Sequence, residues 1–443
     1  MSSEKVKNVA KPVDLEILKR DLYGHINLST SFKAWMGFLT LLLGGCLFAY
    51  FIQLKNGLIV TGLRDYVSWG MYLSNFVFFV ASSLIGMLIS AVLGLVGIKW
   101  ITPIARIAEI IAVAFSAVAG LVIVSDMGRP DRLLNVFIHG RFQSPILWDV
   151  TVITTYMVIS VLLLFIPLIP DLAIGKKLDN LPKWLKKVYS ILALNFIDSP
   201  EQRKIIASSI RTLLILIVPV ALSIHTVTSW LFAVNSRPGW DSTIFGPYFV
   251  SGAFVAGSAC VIIAMYVFRN SYKLKDYLTD FHFNQMGKLL VLVALVYLYF
   301  NINEYLVPAY KMQKAEAHHL HELFAGRYAV MFWLTQLGGL ILPILLLLLP
   351  KMRKPKPIFV IALAVLLGAW FKRFIIVVPT MEGPFLPIQH VPHNYMFYSP
   401  TLIETAVTIA PIVMVVMIVS VLAKFLPIIP VYETAHENGI VTK

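Results

Sequence analysis

Long apolar runs separated by short polar connections dominate the chain. Ten of them reach the roughly 20 residues that an α-helix needs to cross a bilayer. They lie at 35–53, 68–95, 101–125, 146–170, 209–234, 244–268, 286–306, 325–350, 357–379 and 400–427. The pattern predicts an all-α polytopic membrane protein of about ten transmembrane helices, because a helix satisfies its own backbone where no water is present. A weak repeat crosses the middle of the chain: WGMYLSNFVFFVASSLIGMLI at 69–89 is matched by FGPYFVSGAFVAGSACVIIAM at 245–265. The pairing continues in order, 101–125 with 286–306, 146–170 with 325–350 and 209–234 with 357–379. Two four-helix bundles follow, over 68–234 and 244–379, with 35–53 and 400–427 as outer helices. The longest connection, 171–208, carries KKLDNLPKWLKK, a basic amphipathic piece suited to an anionic membrane surface. Residues 1–34 and 428–443 read as a polar N-terminal segment and a polar C-terminal tail.

Composition agrees with this reading and then orients it. Of 443 residues 58% are hydrophobic and only 14% charged, with a mean hydropathy of +0.79, so the bilayer itself is a partner. The net charge of +14 does not point to nucleic acid, because the basic residues are scattered at helix ends rather than gathered on one face. They are also asymmetric. The side of the N-terminus takes Lys5, Lys7, Lys11, Lys19, Lys99, the lysines of 171–208 and the Lys351–Lys356 cluster. The other side has only Lys55, Arg64, Arg129, Arg132, Arg141, Arg237, Lys311, Lys314 and Arg327. The positive-inside rule then predicts two cytoplasmic termini in a bacterial cytoplasmic membrane, with the 125–149 stretch at the periplasmic edge. The first 30 residues show no apolar core or cleavage site of a removable signal, so the first apolar helix is expected to direct insertion. Two cysteines, Cys46 and Cys260, each within an apolar run, are too few for an iron–sulfur cluster. Only His225 lies deep in a span, which leaves no pair for a haem. No redox cofactor fixed in this chain is expected.

One polar stretch stands out between two spans. SDMGRPDRLLNVFIHGRFQSPILWD at 125–149 holds Asp126, Arg129, Asp131, Arg132, His139, Arg141 and Asp149, a density of charge that is expensive next to lipid. Either it is a wet loop held together by Arg–Asp pairs, or it forms a polar pocket that binds a ligand and moves protons. Neighbouring span ends add Trp69 and Tyr72, Trp148, Trp230, Arg237, Trp240 and Asp241, although Trp and Tyr also serve as ordinary interfacial anchors. A quinone headgroup fits such a setting, since its carbonyl oxygens need polar partners and its ring and tail need apolar walls. Oxidising a quinol also releases two protons, which a carboxylate or neutral imidazole must accept. Asp126 and His139 are the first candidates, while His225 reads equally as a packed structural histidine or a ligand contact. A second set lies inside the spans: Arg106 with Glu109, Lys372 with Arg373, Glu304 and Glu404. Such groups mark proton routes or pair structurally. His318, His319, His321 and Glu322 have the composition of a metal site but no separated second ligand pair, so none is expected.

Four motifs taken together resemble those of the NrfD/PsrC family of quinone-interacting membrane subunits: DMGRPDR at 126–132, SPILWD at 144–149, SIHTVTSWLFA at 223–233 and RPGWDSTIFGPYFVSGAFVAGSA at 237–259. Ten helices, two cytoplasmic termini and DLYGHINLSTSFKAW at 21–35 resemble in particular the ActC branch found in alternative complex III. The resemblance implies a subunit with no haem or iron–sulfur cluster of its own that oxidises quinol, menaquinol above all, near the periplasmic face. Electrons would pass to a periplasmic iron–sulfur subunit, in a complex with a multihaem cytochrome c and a homologous second membrane subunit. By motif, Asp126, His139 and Arg129 would be catalytic, and His225 and Asp241 would join the quinone site with Trp69, Tyr72 and Asp149. Family members commonly carry His where this chain has Asp241. The second bundle lacks a match to DMGRPDR and is assigned no quinone site, while Arg106, Glu109, Arg373 and Glu304 are the expected proton route. Quinone reduction, a stand-alone proton-coupled transporter and a purely structural anchor are the competing readings.

Overall fold

Each predicted span becomes helical, and five of the ten helices are longer than their apolar core. The computed structural model describes residues 15–24, 26, 29–179, 181–383, 391–392 and 395–437. Ahead of the first bundle lie α1 (Leu15–Tyr23) and α2 (Thr30–Asn56). The first bundle and its connections comprise α3 (Met71–Leu95), α4 (Thr102–Asp126), α5 (Asn135–Ile138), α6 (Pro145–Phe165), α7 (Leu168–Gly175), α8 (Lys183–Leu192) and α9 (Pro200–Ala233). There follow α10 (Phe245–Ser271), α11 (Asp280–Lys311), α12 (Lys314–Phe324), α13 (Ala329–Trp333), a π-helical turn (Leu334–Ile341), α14 (Leu342–Leu348) and α15 (Pro355–Glu382). The chain closes with α16 (Leu402–Phe425) and α17 (Val431–Glu437). Among the described residues ten helices are long and apolar enough to cross a membrane, the eighth being α13 to α14 with its π turn, and no strand occurs. The chain is an all-α, multi-pass membrane protein.

Apolar length marks the bilayer, whereas caps mark the helix. The helix expected to begin at 209 begins at Pro200, because Ser199 accepts the Gln202 N–H and Pro200 occupies the first turn, where a missing N–H costs nothing. Thr401 caps α16 in the same way, accepting the Glu404 N–H.

Helices α3, α4, α6 and α9 contact one another in a ring, and α10, α11, α15 and the eighth span form a second. The rings share a seam where α10 lies against α3 and α9, and α15 against α3. The outer helices α2 and α16 pair with each other, and α16 also covers α4. A close approach within the first ring lies at Gly86 of α3, where an added Cβ would stand 2.1 Å from the Ala108 carbonyl oxygen of α4. Gly86→Ala forces backbone apart, and overpacking of this kind costs about 1–3 kcal/mol. A lowered Tm of the purified chain checks it.

The chain ends differ from simple polar extensions. Ile428, Ile429, Val431 and Ala435 are buried, and α17 packs on α1, α4 and α7, so much of the 428–443 tail is built into the fold. Leu22 and Tyr23 of the N-terminal segment are buried as well. Lys5, Lys7 and Lys11 lie outside the described residues. The 171–208 connection is mostly helix, with Leu185 and Tyr189 of α8 turned inward and Trp184 exposed. The His318–Glu322 cluster belongs to α12.

Candidate functional site

The polar side chains gather at the end of the first ring opposite the chain termini. Asp126 is the last residue of α4; it is half-buried, and its Oδ1 has no hydrogen-bond partner among the described residues. Beside it, the Tyr72 hydroxyl donates to Gln53 Oε1 (2.5 Å), and Gln53 Nε2 donates to the Ser125 carbonyl (2.7 Å). Glu404, fully buried at the start of α16, is close enough to act electrostatically on both Asp126 and Tyr72. Its Oε2 accepts the Gly62 N–H at 2.9 Å, and its Oε1 accepts the Tyr398 hydroxyl. Tyr398 in turn accepts the Met71 N–H at 2.9 Å. Burial, then the negative charge of Glu404, holds the Tyr398 phenol above its usual range, so that it stays a donor.

Beneath this cluster Asn75 Nδ2 donates to the Thr408 carbonyl at 3.3 Å, and Trp370 Nε1 donates to Asn75 Oδ1 at 2.6 Å. Thr408 and Trp370 form the top of an apolar cleft of about 820 Å³, walled also by side chains such as Phe78, Phe115, Ile263, Ile412 and Val416. The outer helix α16 supplies one wall, and the Thr408 Oγ1 at its upper end is buried without a hydrogen-bond partner among the described residues. Thr408 is four residues from Glu404, one helical turn. The cleft therefore ends a single turn from the acid–tyrosine cluster.

The other expected residues divide into separate neighbourhoods. Trp69 stacks on Trp240 (5.6 Å between centroids), with Phe232 edge-on to both, and Trp240 Nε1 donates to the Ile376 carbonyl at 2.7 Å. Asp149 of α6 is buried, with the Thr228 hydroxyl of α9 2.6 Å from its Oδ1. His225, one turn from Thr228 on α9, is wholly buried, and neither ring nitrogen has a hydrogen-bond partner among the described residues; Arg373 from the second ring acts on it electrostatically. Thus Tyr72, Asp126, Asp149 and His225 come one from each helix of the first ring.

Two expected residues stand apart from Asp126. His139 caps the short α5 and is exposed. Arg129 is exposed too, and its guanidinium donates twice to Asp131 (3.0 and 2.9 Å) rather than to Asp126; that bond holds the Asp131 carboxyl below its usual range. The short loop turns both outward because Pro130 and the one-turn α5 carry the chain away from the ring. Asp241 is likewise exposed and lies toward the second ring, where it acts on Glu304 and Lys311. Asp241 thus stands apart from the Trp69–Trp240 stack although it follows Trp240 in the chain.

Of the expected proton-route residues, Arg106 and Glu109 lie near the termini. Arg106 Nη2 meets Asp171 Oδ2 at 3.1 Å and its Nε stands 3.7 Å from Glu109 Oε2. Arg373 and Glu304 belong to the second ring, where Lys372 donates to the Tyr305 hydroxyl. Sequence reading missed Gln53, Tyr398 and Asp171. Gln53 carried a faint signal, as a lone amide in the last turns of an apolar helix; the other two carried none.

A family model described as "Polysulphide reductase, NrfD" matches residues 59–382. The chain is also similar to a Halobacterium salinarum protein named as a membrane subunit of a dimethyl sulfoxide reductase, with 29% identity covering 89% of this chain and 91% of that one. A selenate reductase subunit of Mesobacillus selenatarsenatis is 25% identical, covering 87% and 92%. The integral membrane subunit of a menaquinone reductase from Nitratidesulfovibrio vulgaris is 24% identical, covering 96% and 98%.

Proposed function

Since the chain belongs to the NrfD family, we propose that it is the quinone-binding membrane subunit of a multi-subunit oxidoreductase and that it oxidises quinol at the Asp126 cluster. The observation that carries this reading is the partnerless, buried Oδ1 of Asp126 beside two tyrosines, a second carboxylate and the upper end of a deep apolar cleft. An isoprenoid tail suits the cleft, whose walls are aromatic and aliphatic, and the quinol ring then stands among the polar groups one turn above. Quinol becomes quinone by giving up two protons and two electrons. Asp126 takes a proton, Tyr72 and Gln53 fix the geometry around it, and the Tyr398–Glu404 pair supplies a further donor and acceptor. His139 on the exposed lip carries protons onward to bulk water, and Arg129 with Asp131 shapes the surface on which a partner docks.

The charge asymmetry along the chain supports cytoplasmic termini and a periplasmic cluster. Electrons then leave to an extrinsic iron–sulfur subunit, and a multihaem cytochrome and a second, homologous membrane subunit make up the rest of an assembly of the alternative complex III kind. Menaquinol is the favoured substrate, since one relative is a menaquinone reductase subunit and another, from Archaeoglobus fulgidus, a menaquinol oxidoreductase subunit. The first of these names also supports the opposite direction, quinone reduction, at the same site. Trp69, Asp149 and His225 stand away from this cleft, among the packed side chains of the first ring.

Val416→Trp fills the cleft without touching the polar cluster. In membranes carrying the whole complex it is expected to raise KM for quinol about tenfold, the equivalent of ~1.4 kcal/mol of lost binding, with kcat retained. The isolated chain in proteoliposomes should bind a menaquinone analogue yet transfer no electrons. An unchanged KM would move the tail elsewhere, and solute uptake by the chain alone would favour a transporter.

A further inference from the structure

The second ring, which has no counterpart of the 125–149 stretch, holds its own buried polar cluster. Glu304 of α11 and Lys372 of α15 are 8% and 3% exposed. Lys372 donates to the Tyr305 hydroxyl and stands 4.5 Å from the Tyr305 ring centre and 5.5 Å from that of Tyr248. Tyr248 donates to Asn301 Oδ1 at 3.1 Å, and Asn301 Nδ2 to Gln336 Oε1 at 2.7 Å. Gln336 sits in the π-helical turn of the eighth span, and such turns are frequent where a helix is distorted to serve a function. The network is nonetheless incomplete. Glu304 Oε2, Glu316 Oε2, Thr335 Oγ1 and Arg373 Nη1 are all buried without hydrogen-bond partners among the described residues. Buried carboxylate oxygens left in this state are costly unless water or a proton completes them.

A path for both is present. On the face opposite the termini a cavity of about 410 Å³ is lined by Pro238, Lys314, Ala315, His318, His319 and Thr380, with Gly383 at its edge. His319 also borders a narrow throat of about 10 Å³ that reaches Glu304, Tyr305 and Glu316, near the ~10–15 Å³ that one water requires. Gly239 opens this passage, because at its φ of +87° an added Cβ would lie 3.0 Å from His319 Nε2. Burial, then the positive charges of Lys372 and His318, push the His319 imidazole down to about 4, so it is neutral at ordinary pH and free to relay a proton.

We propose that Glu304, set against Lys372, is a proton-loading site of the second ring, reached by water through the His319 vestibule from the face opposite the termini. The groups that face Glu304 are Lys372 from α15, Asp241 from the loop before α10, Tyr248 of α10, Tyr297 and Tyr305 on its own α11, and Glu316 and His319 from α12. Tyr248 of α10 and Arg373 of α15 complete the charged and titratable surroundings of Lys372. Protonation of Glu304 removes the negative charge opposite Lys372, and its loss restores the pair. No electron moves in this step, and the site does not depend on quinol chemistry in the first ring.

Infrared difference spectra of the full chain in lipid nanodiscs, recorded while the pH is cycled, test the assignment without any redox partner. A carboxyl C=O band is expected to appear on acidification, to vanish in Glu304→Gln, to shift in Glu304→Asp, and to persist in Glu109→Gln. Ala315→Trp, which fills the vestibule, should slow its appearance about tenfold, as ~1.4 kcal/mol of added barrier would. A spectrum unchanged in both Glu304 variants overturns the loading site. A band that forms at the native rate in Ala315→Trp overturns the route.

Discussion

Asp126→Asn leaves the complex assembled and lowers quinol-driven electron transfer by about 10²–10⁴-fold, the range that a positioned general base supplies. Asparagine keeps the shape of the side chain and its place at the end of α4, so packing against Gln53 and Tyr72 survives. What it loses is the ability of Oδ1 to take a proton. That oxygen is buried and without a hydrogen-bond partner among the described residues, so none of their bonds needs to break before it accepts one. His139→Phe provides the contrast. Its imidazole is exposed and water can replace it as a proton exit, so the loss should be much smaller. Steady-state oxidation of a quinol analogue by membranes, with the amount of assembled complex measured in parallel, decides between them. Native turnover in Asp126→Asn would remove this carboxylate from the mechanism.

Asp171→Ala unfolds the end of the molecule nearest the termini and lowers stability by about 3–5 kcal/mol, the cost of stripping one partner from a buried ion pair. Arg106 and Asp171 are both fully buried. Arg106 joins α4 to Asp171 of α7 and to the carbonyls of Pro167 and Pro427, while Asp171 Oδ1 accepts the Tyr432 N–H at 2.8 Å. Tyr23 donates to the Asp171 carbonyl at 2.6 Å. Four segments far apart in sequence therefore meet on one pair. Removing the carboxylate strips the guanidinium of its nearer counter-charge and leaves only Glu109, 3.7 Å from its Nε, in an apolar setting. The double variant Arg106→Leu/Asp171→Leu should recover part of the loss, because it removes both charges. Thermal unfolding of the purified chain measures each. A native Tm in Asp171→Ala would return Arg106 and Glu109 to the proton route first expected of them.

The different visibility of these residues has a physical origin. Asp126 could be picked out because a carboxylate closing an apolar run is costly and therefore rare. Gln53 carried only the faint signal of a lone amide in an apolar helix, and Tyr398 none, since a phenol in a connection between spans is commonplace. His139 shares a short, charge-rich stretch with Asp126, yet Pro130 and the one-turn α5 carry it into solvent. Proximity in sequence is a poor guide where the chain turns so tightly. Glu304 was noticed as an isolated charge, but its vestibule is assembled from α12, the 237–241 loop and the end of α15, and no local pattern foretells that.

Hydropathy along the chain is enough to dictate the all-α membrane fold and its ten spans, because in lipid each backbone segment must satisfy its own hydrogen bonds and be apolar over the bilayer's thickness. Those are local requirements, written in consecutive residues. Which polar groups meet was settled by packing alone. Gly62 and Glu404 are 342 residues apart in the chain, and the apolar cleft beneath them exists because α2 and α16 close over the seam between the rings. Helices in lipid are held together by close packing and by the few hydrogen bonds across them, and neither is encoded in the hydropathy that made the helices legible.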